Sequence, residues 1–419
     1  IWAVVFIGSI FLAVDSPITR AIYSLPIPLL TYSSAGRIFY ITSFSAAILI
    51  GLALTYFQEN NEFRKHFLIF TCGFFLITLF IAVGILNVVR SDSNSKYLMV
   101  SLRNMVIPLG FLFSTIILSV AFVKFKKYQF FMLVPLLLVA LLYFDLTRYF
   151  LKYNPFVPQN IVFPKTPIIE FLQNDPSLFR IVRTDEKLLP TNTWINYKIS
   201  SIEGYDPMSL ENYNRFFNVV NDNSYKSAAS RFAVARKYRD NFLDALNVKY
   251  LLVIKGSQIE EKIKTRYKKG FEDKNTVIYE NEDYLSRAYF VPKLTATKDL
   301  EEMIKRIDDK SFNPKEEAVT VGGQNANFAT EGEIDVTSYT QNRVEITTKA
   351  SGDRFLILAD SFEKNWSLTI NGSAGKIQEV NGALRGVQIP EGTSKLEFNY
   401  WPKAFTFGLY ISLASLLAI

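Results

Sequence analysis

Two places in this chain set an aromatic ring beside a group able to bond a sugar hydroxyl. In Gly204-Tyr205-Asp206-Pro207, the flanking Gly and Pro shape a turn that projects its side chains. Tyr205 then offers a ring face and Asp206 a carboxylate, which together can hold a carbohydrate by stacking and hydrogen bonding. Trp366 is a second exposed-ring candidate, and Asn381 and Arg385 flank a hairpin from which they could reach a glycan or a neighbouring module. Each has a plainer reading: Tyr205 packs beneath its turn, and Trp366 belongs to the core of a sheet.

Other chemistries fit poorly. The single histidine, His66, and the single cysteine, Cys72, both fall in the apolar N-terminal region. The polar remainder therefore has no imidazole for a Ser-His-Asp arrangement, and no Gly-x-Ser-x-Gly elbow occurs. No Gly-Lys-Ser/Thr loop is present to cradle a nucleotide phosphate. A zinc site would need His or Cys, so any metal outside the membrane would rest on carboxylates. No cofactor is evident, and a divalent metal is a possible partner of the full-length protein. A large module without a disulfide fits a bacterial envelope protein.

The elements that must position these residues divide sharply. Five apolar runs precede residue 150: Ile1–Val14, Ile38–Phe57, Phe67–Val89, Met105–Val123 and Phe130–Phe144. About 20 apolar residues cross the roughly 30 Å hydrocarbon layer, so the runs read as membrane helices. A further run, Ala404–Ile419, reads as a truncated one, and the abrupt ends of the chain lead us to expect a piece of a larger protein. Arg64 and Lys65 in one turn, and Lys124, Lys126 and Lys127 in another, fall on the same side of the bilayer. The positive-inside rule makes that side cytoplasmic and predicts that residues 150–402 are extracytoplasmic.

Residues 1–149 hold 11 Lys/Arg against 5 Asp/Glu, and the remainder 35 against 34. The net charge of +7 is thus largely a membrane-topology signal, and a nucleic-acid partner, which requires a basic soluble face, is excluded.

The expected organisation is a helix bundle over 1–149, an α/β module over 150–313, a β-sandwich or jelly-roll-like module over 314–402 and a truncated helix over 403–419. In the α/β module, Thr166-Pro167 opens a short helix, and Phe179–Val182 and Tyr250–Ile254 read as buried strands. Helical patterns cover Ser209–Val219, Tyr238–Leu246 and Leu300–Ile307. In the β module, Val344/Ile346, Phe355/Ile357 and Leu396/Phe398/Tyr400 read as alternating with polar neighbours, as half-buried strands do, and Asn371-Gly372 and Asn381-Gly382 supply positive-φ turn residues.

Several strings, in order, resemble the YfhO-type family of bacterial multi-spanning membrane proteins, whose architecture is similar to GT-C glycosyltransferases. They are Leu25-Pro26-Ile27-Pro28 with Arg37, Asp145-Leu146 with Tyr153-Asn154-Pro155, Gly204-Tyr205-Asp206-Pro207 with Tyr213, and Leu246 to Leu252. The closing motif runs through Trp366, Asn371-Gly372, Asn381, Arg385-Gly386-Val387, Pro390, Gly392, Tyr400 and Pro402. Lys364-Asn365 stands where the family usually has Pro-Gly, and Asn371-Gly372 where it usually has Asp-Gly; both suit a turn.

The resemblance implies a bacterial cell-membrane glycosyltransferase that takes sugar from a polyprenyl-phosphate donor on the outer face. Its acceptor would be a cell-envelope glycan such as a teichoic-acid-like polymer. The family's catalytic acid lies in an upstream loop, so no catalytic residue is carried over to this chain. Asp15 does not match that motif and reads as helix-end solvation. Arg37 and Arg103, at outer helix starts, are the candidate donor-phosphate ligands, because a phosphate at a low-dielectric interface must be paired. Anchoring to membrane lipid is their simpler role. Asp145 and Arg148 read as a local pair at i, i+3. The competing function is a non-catalytic transporter, flippase or scaffold of envelope-polysaccharide assembly with a sugar-binding external domain.

Overall fold

A computed structural model describes residues 1–25, 35–91, 96–124, 128–222, 224–226 and 230–417. Of the positions singled out above, Pro26, Ile27, Pro28, Lys126 and Lys127 lie outside the described residues. The chain forms two compact units, Ile1–Pro158 and Gln159–Ile419.

In the first unit, four helices are long and apolar enough to span a membrane: Gly36–Glu59, Asn61–Val89, Lys96–Lys124 and Leu133–Tyr153. Their apolar side chains face outward, as suits hydrocarbon surroundings. The first apolar run differs from a simple span, because Trp2–Ala13 and Pro17–Tyr23 meet at 91°. Local chemistry explains the break. Ser16 and Thr19 form a reciprocal capping box with Pro17 at the first helical position, which starts a new helix there. Arg20 then clamps Asp15 with two 2.7 Å hydrogen bonds across the bend. Thr42 Oγ1 donates to Ser9 Oγ at 2.8 Å, a polar tie between helices where neither hydroxyl meets water. Asp145 and Arg148 do pair at i, i+3, at 3.3 Å.

The second unit is sheet-rich. Its first sheet joins strands Ser200–Ser201, Arg180–Arg183, Val248–Ile254, Thr276–Glu280 and Lys268–Glu272 in that order, the first three parallel and the rest antiparallel. A seven-stranded sheet orders Ala326–Asn327, Lys293–Thr297, Glu317–Val321, Gln378–Val380, Leu384–Ile389, Arg354–Ser361 and Ala288–Phe290. A third sheet orders Glu333–Tyr339, Arg343–Ala350, Gly392–Tyr400, Trp366–Ile370 and Ser373–Gly375.

The seven-stranded sheet is buried on both faces, and period-two alternation shows how. Leu356 and Leu358 point into a core shared with Val344, Ile346, Leu396 and Phe398 of the third sheet, which makes a two-sheet sandwich. Phe355, Ile357 and Ala359 point the other way, into a core shared with Val182, Leu251, Phe216 and Phe242. That corrects the half-buried strand expected around Phe355 and Ile357: their neighbours Leu356 and Leu358 are apolar and buried too, so Arg354–Ser361 is a strand covered on both faces. The sheet also runs across position 313: Ala288–Phe290 and Lys293–Thr297 pair with Arg354–Ser361 and Glu317–Val321. Residues 150–313 and 314–402 therefore share one sheet and one core.

Both Asn-Gly turns close hairpins. Asn371 and Gly372 adopt φ of 52° and 80° between paired Ile370 and Ser373; Asn381 and Gly382 adopt 53° and 77° between paired Val380 and Leu384. After Tyr400, the apolar helix Lys403–Leu417 follows.

Candidate functional site: an arginine-lined cleft

Five strands of the second unit deliver polar side chains to one cleft of about 730 Å³. At its centre lies Asp360, the next-to-last residue of the buried strand Arg354–Ser361. The register of that strand against Leu384–Ile389 slips between Leu358 and Ser361, a bulge that re-aims the intervening residues. Asp360 Oδ1 accepts from Arg180 Nη2 at 2.6 Å and from Arg287 Nη1 at 3.3 Å. The Tyr339 hydroxyl lies 2.9 Å and 3.0 Å from the two carboxylate oxygens.

Each partner is held from behind. Arg287 is nearly inaccessible; its Nε donates to Asn247 Oδ1 at 3.0 Å and its Nη1 to the Tyr339 oxygen at 2.9 Å. Arg180 Nη1 donates to the carbonyls of Leu246 and Ala359. A third arginine, Arg385, donates from Nε to the Ser361 carbonyl at 2.9 Å and lays its guanidinium 3.8 Å over the Trp366 ring. Arg385 is 4% exposed, and its Nη1 is buried without a hydrogen-bond partner among the described residues.

Three guanidinium groups thus surround one carboxylate. Burial alone would raise the Asp360 carboxyl, but Arg180, Arg287 and Arg385 outweigh it and hold it below the usual carboxylate range. Burial pushes Arg287 and Arg385 down, with Arg180 adding like-charge repulsion to both. Guanidinium groups ionise so far above neutrality that both stay charged. Burial, with Asp360 beside it, pushes the Tyr339 hydroxyl up, so it stays protonated and donates.

A second depression, of about 470 Å³, adjoins the first and shares Arg180, Ile195, Ser201 and Ser361 with it. Tyr205 and Asp206 line it. The Tyr205 ring lies 4.6 Å from that of Phe232, and its backbone is pinned both ways by the Asn192 amide, at 3.0 and 2.7 Å. Asp206 is exposed and accepts from Met208 N at 2.8 Å, a local turn.

The candidates from sequence therefore separate into groups. Trp366 and Arg385 line the cleft, and Tyr205 and Asp206 the neighbouring depression. The Trp366 ring is already engaged, because Arg385 covers one face and Tyr400 lies 5.2 Å away. Asn381 is apart from both: it is fully buried, accepts from Val319 N at 2.8 Å and donates from its own backbone to the Val319 carbonyl at 2.8 Å. It fastens a hairpin to Glu317–Val321. Arg37 and Arg103 are exposed residues of the first unit, Arg37 in the short turn Ala35–Ile38 and Arg103 about two turns inside its helix. Among the described residues, no three His, Cys, Asp or Glu side chains gather as metal ligands would.

Arg180, Arg287, Tyr339 and Asp360 were not among the sequence candidates. A signal existed: Asp360 ends the run Phe355-Leu356-Ile357-Leu358-Ala359, and Arg180 lies between Phe179 and Ile181. A charge inside or at the end of a buried strand demands a partner.

Comparison with known proteins agrees with this architecture. A family model described as "Bacterial membrane protein YfhO" matches residues 35–309 and 323–412. The "Uncharacterized protein YfhO" of Bacillus subtilis (strain 168) is 34% identical over 83 residues, which cover 20% of this chain and 10% of that protein's length. No solved structure matches the chain. The family match takes in the last four apolar helices before residue 158, most of the three cleft-forming sheets and the start of the final helix, and the chain belongs to the YfhO family of bacterial membrane proteins.

Proposed function

We propose that this protein serves as a membrane glycosyltransferase that takes sugar from a polyprenyl-phosphate donor on the outer face and passes it to a cell-envelope polymer. Residues 150–402 are then extracytoplasmic and receive or position the polymer, while the membrane helices handle the donor. The observation that carries this reading is the cleft itself: a cavity of about 730 Å³ lined by Trp194, Tyr339 and Trp366 together with Arg180, Arg287, Arg385 and Asp360, in a sheet module carried by a membrane protein. Cavities of that size with a few convergent polar groups are typical of ligand sites.

Arg37 and Arg103 are the proposed cations for the donor phosphate. Membranes containing the full-length protein, supplied with labelled polyprenyl-phosphate sugar and envelope polymer, should transfer label in proportion to the protein present. Arg37→Gln should reduce transfer at limiting donor; unchanged turnover there removes Arg37 from the donor site. No transfer above membranes lacking the protein, with polymer still bound, would replace this reading with a non-catalytic carrier or scaffold.

A further inference from the structure

We propose that the cleft around Arg180, Arg287 and Arg385 holds a phosphoryl group, carried by a sugar or by a lipid headgroup. The inference takes from the proposed function only that this cleft is where a ligand sits, and its test reads binding and not transfer.

The charge balance is the first argument. The cleft is lined by Arg180, Arg287, Arg385 and Lys198 against one carboxylate, Asp360. Asp360 is already engaged by Arg180, Arg287 and Tyr339. The other nearby acid, Glu363, is turned onto Asn365, accepting from its backbone at 2.7 Å and its side chain at 2.6 Å. The cations exceed the anions, and two of them, Arg287 and Arg385, are buried where water screens them little. An anionic ligand would relieve that repulsion.

The second argument is Arg385 itself. A buried guanidinium nitrogen without an acceptor is costly, and native proteins seldom keep one without a purpose. Here the Trp366 ring and the Ser361 carbonyl fix the plane of the guanidinium at the wall of the cleft, while Nη1, itself enclosed, has no hydrogen-bond partner among the described residues. The guanidinium is thus a preorganised cation at the cleft wall, whose ordering cost is met before any ligand arrives.

The third argument distinguishes phosphoryl from carboxylate. A carboxylate is planar and is satisfied by one fork of donors, whereas a phosphoryl group accepts through oxygens pointing in several directions. The cleft's donors come from separate walls: Arg385 from one strand, Lys198 with Ser200 from another segment, and Gln341 from a turn, whereas the Ser201 and Thr340 hydroxyls donate to the Ile181 and Arg343 carbonyls.

The test uses the full-length protein in detergent micelles, titrated calorimetrically with four probes: inorganic phosphate, glucose 1-phosphate, soluble dihexanoyl phosphatidylglycerol and glucose. Phosphate-bearing probes should bind and glucose should not. Arg385→Gln, which removes a charge-assisted hydrogen bond, should weaken binding about tenfold or more. Lys198 is exposed, so Lys198→Gln leaves the fold intact and should weaken binding severalfold even if Arg385→Gln proves unstable. Tighter binding of glucose 1-phosphate than of the lipid assigns the group to a sugar, and the reverse order assigns it to a headgroup. Binding of no phosphate probe, or equal affinity in wild type and both variants, overturns the proposal. Loss of sugar transfer with phosphate binding intact would count against the transferase reading alone.

Discussion

The Arg385 guanidinium lies 3.8 Å above the Trp366 ring, so the tryptophan that looked like a platform for a sugar is a platform for a cation. The two residues sit in different sheets, Arg385 in the seven-stranded sheet and Trp366 in the third. Their contact therefore also stitches the sandwich at the mouth of the cleft. Trp366→Leu keeps apolar bulk and removes the π face. A cation–π contact in a partly desolvated place contributes about 0.5–2 kcal/mol. The variant should melt a few degrees lower, at about 2–4 °C per kcal/mol, and bind phosphate more weakly because Arg385 is less confined. Trp366→Phe should recover part of both losses; equal behaviour of the Leu and Phe variants would show that packing alone matters.

Asp360 should govern acid stability. Its folded carboxyl ionises below its ordinary value of 3.8, with burial opposing and the three arginines prevailing. A depressed folded pKa stabilises above the unfolded value and ceases to do so as pH falls through the folded one. The melting advantage of wild type over Asp360→Asn should therefore be level from about pH 8 to pH 5 and shrink below about pH 4. At neutral pH, removing the charge leaves Arg180 and Arg287 without their counter-ion, a loss of about 3–5 kcal/mol. A difference that instead grew towards acid would contradict the assignment.

Arg183 and Glu203 make a second, deeper pair whose role is structural. Their side chains are 1% and 0% exposed, and Arg183 Nε meets Glu203 Oε2 at 3.1 Å. Glu203 also accepts from the backbone N–H groups of Arg183 and Ala235, and Arg183 Nη2 donates to Thr191 Oγ1 at 2.7 Å. Glu203→Ala should destabilise by about 3–5 kcal/mol, because a buried guanidinium is left uncompensated. Glu203→Gln, which keeps an acceptor, should lose less. Thermal unfolding of the two variants checks the order.

Gly386, next to Arg385, is required by close packing. A Cβ there would come 2.7 Å from the Phe355 ring and 2.7 Å from Val380 Cγ1, both fully buried. Gly386→Ala should destabilise by about 1–3 kcal/mol through overpacking. Phe355→Leu in the same chain should restore part of the loss, since it removes the ring atoms that clash. Additive effects of the two substitutions would show that they do not share this space.

Much of the fold is written locally. Crossing hydrocarbon requires about 20 apolar residues in sequence, so the membrane helices announce themselves without reference to anything distant. The Asn371-Gly372 and Asn381-Gly382 turns are equally legible, because positive φ is a property of two adjacent residues. The amphipathic helix Leu300–Asp308 buries Met303, Ile304 and Ile307 as its spacing requires, beginning at the Asp299 cap. The bend at Ser16 was also encoded locally, in a capping box that an apolar count passes over. By contrast, Asn381 looked like a binding residue because only the pairing with Val319 shows that its side-chain oxygen is spent on the protein's own backbone.

What the sequence by itself determined about this protein is its division into a membrane-spanning part and a sheet-rich part, and where most of its turns and helices fall. The cleft was decided by tertiary structure alone. Arg180, Arg287, Tyr339, Asp360 and Arg385 lie on five different strands or strand ends, from two sheets of one sandwich and a third beside it. Their meeting depends on sheet order, on register and on a bulge after Leu358. Each of these is fixed by the burial of distant apolar faces against one another, a property of the whole chain that no local string contains.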